Sequence, residues 1–232
     1  MTDPEPIRLA AVLRPQTYGR DRPERIQQPV VEPLWQGVRV IAAATLDDAA
    51  LYEDGEPVTG HDAVLKALSR AIANTAVGVI LDGYLTKQVP LPDKPPHLGA
   101  DDMPSVGQFL AKPLIGIRRS RTEEARKRLE AEDAARTFED DDIVNFVATD
   151  LLWLDGEWLL DVPLLERKRL LEAIIPGDDL VRAGPYVLPP YITWIGSWRM
   201  QGFTGVTLKE ANSRYRSGEL AHDWTKSNMP RR

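Results

Sequence analysis

The spacing of apolar residues changes several times along the chain, and each change marks an element. Val38–Thr45 is a β-branched and small apolar run, the pattern of a buried strand, and Asp47–Glu53 reads as its hairpin partner. Glu53-Asp54-Gly55-Glu56 supplies a turn, because Asp-Gly tolerates the positive φ that tight turns need. Val64, Leu65, Leu68 and Ile72 then recur at helical spacing, which predicts an amphipathic helix within residues 61–75. Val77–Leu81 is a second apolar strand, closed by Asp82-Gly83, and Ile143–Ala148 a third. Leu164–Ile175 reads as a helix, with Pro163 at its start and Pro176-Gly177 ending it. Val181–Val187 and Gly205–Lys209 are further strands, and a polar loop over residues 212–219 leads into Asp223-Trp224-Thr225-Lys226. Residues 90–104 hold five prolines without periodicity and read as a loop; the charged stretch 122–137 reads as a solvated helix with Thr122 as its N-cap. The first 29 residues, apart from the apolar piece Ile7–Leu13, read as an N-terminal arm lying on a domain that spans residues 30–232. Strands, hairpins and helices in this order predict an α+β fold.

Composition narrows the function classes. A chain of 232 residues with 43% apolar content can bury a substantial core. A net charge of −6 gives no global basic footprint of the kind most duplex-binding modules carry. The absence of cysteine removes disulfides, thiolate nucleophiles and zinc-thiolate sites. No basic start with an apolar run marks a signal peptide, and no apolar stretch reaches the length of a membrane span, so a soluble, cytoplasmic protein without membrane contact is expected. His61, His97 and His222 are scattered and predict surface roles, not metal ligation.

Five segments in order resemble the motifs of the ATP-dependent DNA ligases, in particular the compact ligase domains of bacterial end-joining systems. Glu32-Pro33-Leu34-Trp35-Gln36-Gly37-Val38-Arg39 is similar to the nucleophile motif E-x-K-x-D-G-x-R. Val79-Ile80-Leu81-Asp82-Gly83-Tyr84 resembles the strand that ends D-G-E, and Thr149-Asp150-Leu151-Leu152-Trp153-Leu154-Asp155-Gly156 the segment F-D-L-L-y-l-d-G. Pro163-Leu164-Leu165-Glu166-Arg167-Lys168-Arg169-Leu170-Leu171 continues it as the helix P-L-x-x-R-x-x-L-L. Thr204–Lys209, Ser213–Gly218 and Trp224-Thr225-Lys226 resemble E-G-x-x-x-K, S-x-Y-x-x-G and W-x-K-x-K. The resemblance runs from about residue 30 to residue 228 and implies the nucleotidyltransferase fold, with antiparallel sheets flanked by helices. It also implies an OB-fold domain beyond the last motif, for which no room is expected before Arg232.

The same alignment implies that the catalytic positions are degenerate. The family attacks the α-phosphate of ATP with a lysine amine, and Leu34 at that position has no lone pair to offer. No lysine precedes Lys66, so a register slip offers no substitute. Losing a covalent nucleophile costs roughly a million-fold in the best-studied hydrolase case. The motif carboxylates are replaced by Gln36, Tyr84 and Thr204, poor ligands for magnesium, and the adenine-stacking aromatic by Thr149. Asn228 stands for the second lysine of the last motif. Glu32, Arg39, Lys209 and Lys226 survive, and with Thr149 they are the candidate nucleotide- or anion-binding residues; no catalytic residue and no metal site is expected.

Three functions follow as expectations. The first is a catalytically inactive ligase-like protein that binds or scaffolds, with no cofactor and with a link to DNA repair or end joining. The second is nucleotidyl transfer, with ATP and magnesium, through a displaced lysine such as Lys87, Lys209 or Lys226. The third is a nucleotide sensor without chemistry. Residues 198–232 carry seven basic side chains against three acids, a local balance of +4, so salt-dependent, sequence-independent DNA binding is expected there through Arg214 and Arg216. Trp158, Trp194 and Trp198 are candidates for a protein-partner or self-association surface, with at least one exposed indole expected over 190–200.

Overall fold

In a computed structural model, residues 4–19, 23–88, 144–177 and 179–229 are described. The expected loop over 90–104, the helix over 122–137 and His97 lie outside them. The architecture is α+β, built from two sheets and flanking helices.

The larger sheet follows the order β5-β4-β3-β6-β7-β8 and holds most of the strands read from sequence. These are β3 (Val38–Thr45), β4 (Ala49–Glu53), β5 (Glu56–Pro57), β6 (Gly78–Thr86), β7 (Asn145–Leu154) and β8 (Glu157–Trp158). The run β3-β6-β7 is antiparallel, and β9 (Val181–Ala183) adds to β7 in parallel. The expected Asp-Gly turn is present, Asp54 and Gly55 having φ of 48° and 85°, and a second tight hairpin closes at Asp155 and Gly156, with φ of 48° and 103°. β6 and β7 run longer than their apolar cores suggested, because both continue through motif residues buried on either face. The expected strand over 181–187 is shorter; only Val187 rejoins the sheets, through a bridge to Val31.

The smaller sheet has the order β1-β11-β10-β2: β1 (Thr17–Gly19), β11 (Leu220–Asn228), β10 (Gly205–Glu210) and β2 (Pro29–Pro33). Glu32 and Lys209 therefore sit in adjacent strands, with Glu32 opposite Thr207. At Gly37 the chain turns from β2 into β3 with φ of 143°, and an added Cβ would lie 2.0 Å from the Leu85 carbonyl oxygen. This step carries the chain from the smaller sheet into β3, which pairs antiparallel with β6.

Four helices are present among the described residues: α1 (Glu5–Val12), α2 (Asp62–Ile72), α3 (Leu164–Ile174) and α4 (Ile192–Met200). α2 buries Val64, Ala67, Leu68 and Ile72 against the larger sheet. α1 is a helix where an arm is expected, with Ile7, Ala10 and Leu13 joining Ile41, Ala43, Ile80 and Trp153 in one core cluster. α4 places Ile195 and Trp198 with Trp35, Tyr84, Val147 and Phe203 in another cluster, which joins residues of both sheets. Trp198 is fully buried and Trp194 half-buried, so the exposed tryptophan expected over 190–200 is absent; the exposed large apolar residues there are Ile192 and Met200. The cause is packing, since Trp198 belongs to the cluster that joins the sheets. Trp158, on the two-residue edge strand β8, is exposed. Among the described residues no helix is long and apolar enough to cross a membrane.

Candidate functional site

Three internal ion pairs organise the motif residues. The first joins Glu32 on β2 to Lys209 on β10 (Oε2 to Nζ, 2.9 Å) and, through its other oxygen, to Lys168 on α3. All three side chains are almost fully buried. Burial pushes the Glu32 carboxyl up, but Lys168 and Lys209 outweigh it and hold the pKa at about 2. Burial also pulls the Lys168 ammonium below the usual lysine range, against the attraction of Glu32. Thr207 donates a further hydrogen bond to Glu32 Oε2 at 3.3 Å. Lys209 Nζ lies 4.5 Å from the Trp224 ring centre, a cation–π contact inside the same pocket.

The second pair is bidentate. Arg39 on β3 donates from Nε and Nη2 to the two carboxylate oxygens of Asp82 on β6, at 2.9 and 2.5 Å, and from Nη1 to the Gln16 carbonyl at 2.7 Å. Burial disfavours the guanidinium charge, yet Asp82 more than offsets this and keeps Arg39 protonated. Tyr215 donates to Asp82 Oδ2 at 2.8 Å, so this carboxylate is shared between a cation and a phenol. Tyr84 packs against Arg39, 5.9 Å from guanidinium carbon to ring centre. Tyr18 on β1 faces the same guanidinium at 5.3 Å. Burial raises the pKa of both phenols, so both are neutral at pH 7.

The third pair, Asp150 on β7 with Arg167 on α3, is also bidentate, at 2.8 Å for each bond and with neither side chain exposed. Arg167 Nη1 additionally donates to the Val162 carbonyl at 2.5 Å and the Ser213 carbonyl at 3.3 Å. It thus ties β7, the start of α3 and the loop after β10 together.

The remaining candidate positions are packed or peripheral. Leu34 is 1% exposed; its amide donates to the Gly205 carbonyl at 2.9 Å, and a Cβ on Gly205 would come within 3.0 Å of its Cδ2. Trp35 faces other neighbours, meeting Phe203 edge-on at a centroid distance of 5.1 Å. Thr149 is buried and donates to the Asp82 carbonyl at 3.2 Å. Gln36 Nε2 donates to Thr204 Oγ1 at 3.4 Å, a contact of two neutral groups. Lys226 is exposed, with its Nζ 4.9 Å from the Tyr18 ring centre. Arg214 and Arg216 are exposed on the loop between β10 and β11. Lys209 is buried and neutralised by Glu32, so it adds nothing to the basic face expected over 198–232. His61 stands at the N-cap of α2, and His222 is exposed.

Sequence reasoning missed three contributors to this site: Tyr18, Gln16 and Lys168. Lys168 lies inside the recognised helix motif but at an unassigned position, and the other two precede the first motif.

These donors do not fit the divalent cation that the family's chemistry uses. Magnesium takes hard, anionic oxygen ligands. Asp82 is committed to Arg39, and Glu32 to two lysines. Among the described residues no group of three His, Cys, Asp or Glu side chains converges as a metal site.

The arrangement is two sheets joined through Gly37, with Arg39 on the larger and Lys209 and Lys226 on the smaller. It overlays the ligase domain of Mycobacterium tuberculosis LigD with a TM-score of 0.62, at 24% identity, covering 94% of this chain and 60% of that one. The chain has the fold of an ATP-dependent DNA ligase nucleotidyltransferase domain. A mycobacterial DNA ligase D complexed with ATP and MES gives the same TM-score and coverage. A family model described as ATP dependent DNA ligase domain matches residues 117–227 of this ligase-like chain. Among curated proteins it is 27% identical over 220 residues to the multifunctional non-homologous end joining protein LigD of Mycolicibacterium smegmatis. It is 26% identical over 212 residues to the multifunctional non-homologous end joining DNA repair protein LigD of Mycobacterium tuberculosis. The ligase-like chain spans 23% of the length of each of these relatives.

Proposed function

We propose that this chain is a catalytically inactive ligase-like protein with a binding or scaffold role in DNA repair or end joining. The observation that carries the reading is the state of the nucleophile strand. Leu34 stands buried where a lysine amine would be needed, and the neighbouring carboxylate Glu32 is held between Lys168 and Lys209. A displaced lysine would need an aligned, metal-bound triphosphate to attack. The carboxylates that would bind that metal are replaced or internally paired. The link to end joining is an analogy with the LigD relatives.

Intact mass after incubation with ATP and magnesium or manganese is expected to show no adenylate adduct. A covalent AMP mapped to Lys87, Lys168, Lys209, Lys226 or any other lysine would overturn the reading.

Duplex DNA is expected to bind without sequence preference and with strong salt dependence through Arg214 and Arg216, which project from one exposed loop. Arg214→Glu combined with Arg216→Glu is expected to abolish that binding in a fluorescence anisotropy titration. High affinity insensitive to salt, or full binding by the double variant, would reject the electrostatic interface.

A further inference from the structure

Tyr18 lies outside every motif, yet the three cations that survive from the motifs surround it. Its ring centre is 5.3 Å from the Arg39 guanidinium carbon, 4.9 Å from Lys226 Nζ and 5.9 Å from Lys209 Nζ. The Trp224 ring is 5.9 Å away. Cations gather on an aromatic face because the ring's quadrupole is negative there, so Tyr18 adds to Asp82 and Glu32, which already pair with Arg39 and Lys209, in holding the three cations together.

The segment that delivers Tyr18 is a short edge strand clasped from one side. Thr17 N–H donates to the Glu219 carbonyl at 2.9 Å, and β1 pairs with β11 with a register shift between Tyr18 and Gly19. Just before it, Gln16 N–H donates to Tyr215 Oη at 3.1 Å, and the Gln16 side chain accepts from Arg216 N–H at 2.6 Å. Arg14 N–H donates to Ser217 Oγ at 2.8 Å. These partners lie on the loop after β10 or at the start of β11, and none belongs to the larger sheet. Arg39 reaches across from it to donate to the Gln16 carbonyl.

We propose that β1 is an internal occupant of the site, with Tyr18 lying among the three cations, and that a phosphate-bearing anion held at the exposed Lys226 reaches Arg39 and Lys209 only when β1 is displaced. The substitution of Tyr84 for the family's glutamate belongs to the same device, since a carboxylate there would repel the anion and a neutral phenol does not. Occupancy by β1 does not depend on the loss of catalysis.

The test uses the full chain and inorganic pyrophosphate, which cannot adenylate a lysine. Calorimetry should show at least a tenfold tighter, salt-sensitive interaction with Tyr18→Ala than with the wild type. Tyr18→Phe, which keeps the ring and loses only the hydroxyl, should stay within about threefold of the wild type, the ring face being what meets the cations. Equal binding by wild type and Tyr18→Ala, or no binding by either, overturns the proposal. Should Tyr18→Ala fail to fold, hydrogen exchange on the wild type decides. Saturating pyrophosphate should speed exchange of the Gln16 and Thr17 amides, and unchanged protection overturns the idea. A lysyl adduct in the ATP experiment would reject the inactive-enzyme reading and leave this proposal standing.

Discussion

Asp150→Ala is expected to cost about 3–5 kcal/mol of unfolding free energy, the range for breaking a buried ion pair by removing one partner. The size follows from what is left behind. Arg167 would keep a full positive charge at zero exposure, with only the Val162 and Ser213 carbonyls to satisfy it. A domain of this size has on the order of 5–15 kcal/mol in total, so the loss is a large share of its stability. Combining Asp150→Ala with Arg167→Met should recover much of the deficit, because a buried pair replaced by apolar groups is close to neutral. Urea denaturation of both variants at pH 7 provides the comparison. A double variant no better than the single one would show that the Arg167 hydrogen bonds, and not its stranded charge, dominate.

Glu32→Gln should have the second largest effect, and one that depends on pH. In the wild type the carboxyl is held at about 2, against an ordinary value of 4.5. A depressed carboxyl contributes stability that is fully present above its unfolded pKa and is lost as pH falls toward its folded pKa. The shift corresponds to about 3 kcal/mol, taking 1.36 kcal/mol per pKa unit. Glutamine removes the charge at every pH and strands Lys168 and Lys209 as two buried cations. The wild type is therefore expected to exceed Glu32→Gln by about 3 kcal/mol at pH 7. The gap should narrow as pH drops from about 4.5 toward 2, following the titration of Glu32. Urea curves at a series of pH values measure it; parallel profiles for the two proteins would mean that Glu32 is not the titrating group.

Elements with a single period were legible from the sequence. β3 has its expected limits because an eight-residue, mostly apolar run bounded by polar turns has one reading; α2 lies where its apolar stripe predicts a helix, though it ends at Ile72 and not at Thr75. The misses have physical causes. β2 is Pro-Val-Val-Glu-Pro, whose prolines look like punctuation; the strand tolerates them because it lies at the edge of the smaller sheet. α4 is apolar on nearly every side and carries Gly196 and two tryptophans, so it shows no stripe to read. At the site, the resemblance to the ligase motifs singles out Leu34, Gln36, Tyr84, Thr149 and Thr204. It does not single out Lys168 or Tyr18, since Lys168 meets Glu32 from 136 positions away and Tyr18 meets Lys226 from 208. Such contacts are set by tertiary packing and leave no mark in local sequence.

The parallel pairing of β1 with β11 has a kinetic consequence. Thr17 and Leu220 are partners at opposite ends of the described chain, so every residue between them belongs to the loop that their contact closes. Contacts of such long range are slow to form, because the closure entropy comes due before the contact rewards it. On a ribosome, β1 emerges well before β11 and must wait for it. β6 and β3 can pair while β1 is still unattached, since the residues they need have already been synthesised. The smaller sheet is therefore expected to be the last part of the molecule to close. For that interval Arg39 is without its Tyr18 contact, and the nascent chain presents to its surroundings a cation that the finished fold keeps covered.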